Sequence, residues 1–70
     1  MTFIRTRYNR NQNRSYALLR DGNEFVVETM DVETGIRQEL ERFEHNGTLV
    51  DLQAARALAL GAYRTAHLLY

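Results

Sequence analysis

The sequence predicts an α+β fold: a three-stranded antiparallel sheet packed on one C-terminal helix, with residues 3–8 available as an extra N-terminal strand. Three observations point there. Asp21-Gly22 separates two runs rich in apolar and β-branched residues, a strong hairpin signal because type I′ turns need positive φ at both central positions. Apolar residues over 49–69 recur at three- and four-residue spacing, the period of a helix. The chain has 70 residues, enough for one domain that buries only about 60% of its unfolded surface.

Taken in order, residues 3–8 alternate imperfectly between apolar and polar. The segment Asn9-Arg10-Asn11-Gln12-Asn13-Arg14 is turn-prone, since Asn tolerates left-handed backbone and bonds its own main chain. Residues 15–20 (SYALLR) and 24–32 (EFVVETMDV) form the hairpin strands. Val32-Glu33-Thr34-Gly35 reads as the next loop, with Gly35 in the left-handed position. Residues 36–43 fit two structures. Ile36, Leu40 and Phe43 have helix spacing, and residues 38–42 are good helix formers. The hairpin loop just before them favours a third strand. His45-Asn46-Gly47 is a turn, and Thr48 caps the helix with Asp51 three residues on. The whole is one domain: an Arg-rich strand or arm over 1–14, a sheet over 15–44 and a helix over 48–69. The expected core holds Leu18, Phe25, Val27, Leu40, Leu52, Ala55, Ala59 and Ala62.

The helix carries more apolar surface than one sheet can cover. Leu52, Ala55, Ala59, Ala62, Ala66 and Leu69 form one stripe, while Val50, Ala54, Ala57, Gly61 and Leu68 form a second arc. A helix on one sheet needs a single stripe a little over about 100° wide. The second side therefore calls for another chain, and a homo-oligomer is expected through Leu52, Ala55, Ala59, Ala62 and Ala66. With no Cys, disulfides are excluded, and oligomerisation is the remaining support for so small a core.

Charge is unevenly placed. Residues 1–20 carry Arg5, Arg7, Arg10, Arg14 and Arg20 and no acid, a net +5. Residues 21–51 carry all nine acids against Arg37 and Arg42, a net −7, and Arg56 and Arg64 add +2. A formal net charge of zero thus joins a basic arm to an acidic middle. Either the two neutralise each other in the fold or across an oligomer, or the arm meets an anionic partner. Every basic residue is Arg, whose planar fork suits carboxylate or phosphate.

No arrangement of residues suggests catalysis. His45 and His67 have no supporting Ser or Asp at useful spacing and read as ordinary surface or helix-end residues. Glu39, Glu41 and Glu44 read as a solvated face, and no metal signature, phosphate loop or cofactor motif is present. No signal peptide or membrane span is visible, so a soluble, cytoplasmic protein is expected. The expected function is non-catalytic binding of another protein by a small regulator or inhibitor, in the style of those that phages or mobile elements direct at host machinery. The contact residues would be Arg5, Arg7, Arg10, Arg14 and Tyr16. The alternative is nucleic acid, with Arg on phosphate, Asn and Gln at base edges and Tyr stacking. Against it stand a pI of 6.7 and the acidic middle. A second alternative is an oligomer that clamps a small phosphorylated ligand.

Overall fold

In the computed structural model, which describes residues 1–69, four antiparallel strands are followed by one helix: β1 (Thr2–Asn9), β2 (Arg14–Asp21), β3 (Glu24–Asp31), β4 (Arg37–Glu44) and α1 (Leu49–Leu69). The sheet is a meander in the order β1-β2-β3-β4, so β1 and β4 are its two edges. The helix packs against β2, β3 and β4 on one face of the sheet; the other face is open. The α+β class is as expected, and residues 2–9 are a full member of the sheet rather than an appended arm.

The turns explain the meander. Asp21 pairs with Glu24, so the two-residue loop is Gly22-Asn23, one position later than expected. Only Gly22 of the pair has positive φ (59°), which is the type II′ pattern with Gly first. Between β3 and β4 the Asp31 carboxylate accepts hydrogen bonds from the N–H groups of Glu33 and Thr34, and Gly35 takes φ 74° as its N–H donates to the Asp31 carbonyl at 2.8 Å. Between β1 and β2, Asn13 sits at φ 51°, a conformation Asn tolerates best after Gly.

β4 settles the ambiguity over 36–43. It is a strand, and its pairing with β3 slips by one residue between Val27 and Glu28, leaving Leu40 as the extra residue of a bulge. The bulge puts Leu40 and Phe43 on the helix side although they lie three apart, which a regular strand of period two cannot do. The helix-like spacing therefore came from a bulged strand. Ile36 falls outside β4 and is exposed.

The core lies between sheet and helix. Tyr16, Leu18, Phe25 and Val27 meet Ala55, Ala59, Tyr63 and Ala66, with Ile4, Leu40, Phe43, Leu52, Leu60 and Ala62 packed around them. All eight expected core residues belong to this cluster. Burying each large side chain contributes roughly 1.5–3 kcal/mol, and the small Ala positions let the helix sit close to the strands. Asp51 N–H donates to the Thr48 hydroxyl at 3.3 Å, which confirms the cap, while the Asp51 carboxylate accepts from Asn46 N–H.

This packing corrects two expectations about surface. The stripe Leu52, Ala55, Ala59, Ala62 and Ala66 faces the protein's own sheet, because it aligns with the apolar side of β2 and β3; Ala55, Ala59 and Ala66 are buried there and are closed to a second chain, while Leu52 and Ala62 are half-buried. The second arc (Val50, Ala54, Ala57, Gly61 and Leu68) is the one left exposed. His45, expected at the surface, is buried with its ring 5.7 Å from that of Phe25, because its backbone N–H donates to the Asn23 carbonyl at 3.2 Å and so holds it beside β3 just past the end of β4.

Candidate functional site

Cross-strand partners share a face, so register shows where each arginine points. Arg5 lies opposite Leu18 and Arg7 opposite Tyr16, both in the helix-side core. Arg5 and Arg7 therefore stand on the helix side of β1. The helix does not reach over β1, and both side chains are exposed there. A register shift between Phe3 and Arg5 leaves Ile4 unpaired and sends Phe3 to the open face.

The gap between β1 and α1 is a groove of about 540 Å³. It is lined by Thr2, Ile4, Arg20, Phe25, Leu49, Leu52, Gln53 and Arg56. Its walls are apolar and its charged groups are two arginines. Arg20 is held in place: its guanidinium lies 5.9 Å from the centre of the Phe25 ring, a cation–π distance, and its Nε donates to the Gly22 carbonyl at 3.3 Å. Arg64 lies farther along α1, and Arg5 and Arg7 lie farther along β1, outside the groove's own lining. No acid lines the groove. At the far end the Gln12 side-chain amide donates to the His67 carbonyl at 2.9 Å, tying the β1–β2 turn to the end of the helix.

The open face has the opposite character. Arg42 pairs with Asp21, Glu24 and Glu39, and Arg37 pairs with Glu28. The Arg42 guanidinium donates to the Glu39 carboxylate and holds its pKa below the ordinary value; Glu39 in turn raises that of Arg42. The Arg37 guanidinium also lies 5.7 Å from the Phe3 ring centre. Between them Ala17, Leu19 and Val26 are buried under neighbouring side chains, with no helix above them. A shallow hollow of about 290 Å³ lies there, lined by Phe3, Thr6, Ala17, Glu28, Met30 and Arg37 among others.

Among the described residues, ion pairs involve only Arg37 and Arg42, the two arginines within the acidic segment itself. Arg5, Arg7, Arg10, Arg14 and Arg20 pair with no acid there. Within one chain, the basic and acidic segments form no ion pair with each other among the described residues.

Of the five contact residues expected from sequence, Arg5 and Arg7 flank the groove, Arg10 sits in the β1–β2 turn, and Arg14 opens β2. Tyr16 is not a contact residue. It is fully buried in the centre of the sheet, and its hydroxyl donates to the Gln12 side-chain oxygen at 2.6 Å. Arg20 and Arg56 were missed as a pair, because 36 residues separate them in sequence and only the packing of α1 over β2 joins them. Among the described residues no group of three His, Asp or Glu side chains could hold a metal ion, and no helix is long and apolar enough to cross a membrane. No family model, curated protein or solved structure matches the chain.

Proposed function

We propose that this is a non-catalytic binding protein that takes an acidic, partly apolar segment of another protein into the groove between β1 and α1. The observation that carries this is the groove's composition: Ile4, Phe25, Leu49 and Leu52 between Arg20 and Arg56, with no acid. Apolar side chains of a partner would fill the floor, and its carboxylates would meet guanidinium forks at the rim. The unpaired edge of β1 beside the groove offers main-chain partners to an extended segment, with Arg5 and Arg7 at hand. Complementary charge would speed encounter and select the partner. Such capture is how a small regulator or inhibitor acts.

The geometry weighs against nucleic acid. Binding a single strand needs aromatic platforms beside the basic groups. Here Phe3 and Tyr8, the exposed aromatics of β1, share the open face with Glu28 and Glu39; the one arginine beside Phe3, Arg37, is already paired with Glu28, and Arg5 and Arg7 stand on the other side.

Fluorescence anisotropy separates the readings. A labelled peptide alternating Glu with Leu or Phe is titrated alongside a Glu-only peptide and a random DNA strand. The alternating peptide should bind best, and Arg20→Glu with Arg56→Glu should abolish that binding while leaving the melting curve in place. DNA binding that outranks the peptide and falls steeply with salt would overturn the proposal.

A further inference from the structure

The two sheet edges differ in a way that bears on self-association. Any edge strand exposes a row of unpaired N–H and C=O groups. On β1 the charged side chains are Arg5 and Arg7 alone. An antiparallel β1–β1 contact would gather four arginines and repel.

β4 reads Arg37-Gln38-Glu39-Leu40-Glu41-Arg42-Phe43-Glu44. Laid antiparallel on itself over its full length, it sets Arg37 opposite Glu44 and Glu39 opposite Arg42, each pair occurring twice. Gln38 meets Phe43 and Leu40 meets Glu41. Every charged pair is a match. Faces must match as well, because opposite residues in an antiparallel pair share a side. In a regular strand this register fails, since each pair would join an odd and an even position. The bulge repairs it. Arg37, Glu39, Arg42 and Glu44 lie opposite Met30, Glu28, Val26 and Glu24 and stand on the open face. Gln38 and Glu41 lie opposite Thr29 and Val27, and Leu40 and Phe43 pack into the core, so these four stand on the helix side. The pattern of faces is a palindrome centred between Leu40 and Glu41, where the bulge sits.

We propose that β4 is a self-complementary edge whose partner is β4 of a second copy, related by a two-fold axis between Leu40 and Glu41. Such an isologous contact closes on itself and gives one continuous sheet of eight strands. Arg37, Gln38, Glu39, Arg42 and Glu44 are exposed, so Arg37 and Arg42 can share their forks between their intrachain carboxylates and those of the second copy. The Glu44 carboxylate, which has no intrachain hydrogen bond or ion pair among the described residues, gains Arg37 of the other copy. The arrangement also gives a role to exposed leucines of α1. Leu58 and Leu69 share the helix flank of Asp51, which bonds Asn46 just beyond β4. With each helix seated over its own sheet, three strand spacings part the two axes, about 14 Å. That leaves a gap which Leu58 and Leu69 border. The β1–α1 grooves lie at the outer edges of this dimer, so the contact is independent of partner capture.

Sedimentation velocity over a concentration series tests it on the full chain. Wild type should approach twice the 8.2 kDa chain mass and stop there. Glu44→Arg, which removes no intrachain bond, should weaken the dimer about tenfold by turning two attractions into repulsions. Glu39→Arg with Glu44→Arg should be monomeric, as should Arg37→Glu with Arg42→Glu. An equimolar mixture of these two variants should dimerise again, because each supplies the charges the other now lacks. If the second variant fails to fold, Glu44→Arg decides alone. A wild-type monomer at millimolar concentration would overturn the proposal. So would undiminished association of Glu44→Arg, a mixture of folded variants that stays monomeric, or open-ended growth abolished by Arg5→Glu.

Discussion

β1 and β4 are both eight-residue edge strands, yet their charges are used in opposite ways. The arginines of β4 are spent within the chain: Arg37 on Glu28, and Arg42 on Asp21, Glu24 and Glu39. The arginines of β1 meet no acid among the described residues and stand beside an apolar groove. Composition alone treats all nine arginines alike. The difference comes from which side of the sheet each strand turns toward the acids, and it separates arginines already paired within the chain from arginines that are not.

The largest expected effect tests the frame on which both edges rest. Ala59 is fully buried against the sheet, so Ala59→Glu places an unpaired charge in the core and should abolish the cooperative melt followed by circular dichroism. Next comes the contrast between edges. Arg37→Ala strips the partner from Glu28, which is 9% exposed, and should cost about 1–3 kcal/mol in urea unfolding. Arg5→Ala and Arg7→Ala should cost less than about 0.5 kcal/mol in the same assay, since neither side chain has an ion-pair partner among the described residues. Equal losses at both edges would erase the contrast. Tyr16→Phe falls between them: it removes the hydroxyl bond to Gln12 and should cost about 1 kcal/mol.

Acid sharpens the same contrast. Arg42 lowers the pKa of Glu39 in the folded chain. A depressed carboxylate stabilises the fold above its unfolded pKa, and that contribution fades as pH falls through the folded value. The melting temperature should therefore drop as pH is lowered below about 4, and Glu39→Gln should make the drop shallower.

Much of the fold was legible because local signals agreed. The apolar period over 49–69 and Thr48 with Asp51 define α1, and Gly35 marks the β3–β4 turn. The hairpin at Asp21-Gly22 was placed one residue early because Asp-Gly suggests a type I′ loop, whereas Gly22 opens the loop here. β4 was ambiguous because its bulge imitates helix spacing. The site was legible only in part. Arg5 and Arg7 could be named from charge, but their side of the sheet depends on the shift at Ile4. Tyr16 was misplaced since an aromatic among arginines resembles a stacking platform, and only the sheet register shows it beneath the helix. The two-sided apolar pattern of α1 was evident, whereas which side faced the sheet was decided by packing.

The most direct test of the central claim is to map an acidic, apolar peptide onto the protein by amide chemical-shift changes. The account predicts shifts confined to β1, Arg20, Leu49, Leu52, Gln53 and Arg56, with the open-face residues Glu28, Glu39 and Arg42 unmoved. Shifts centred on the open face, or none at peptide concentrations well above those of the protein, would contradict it.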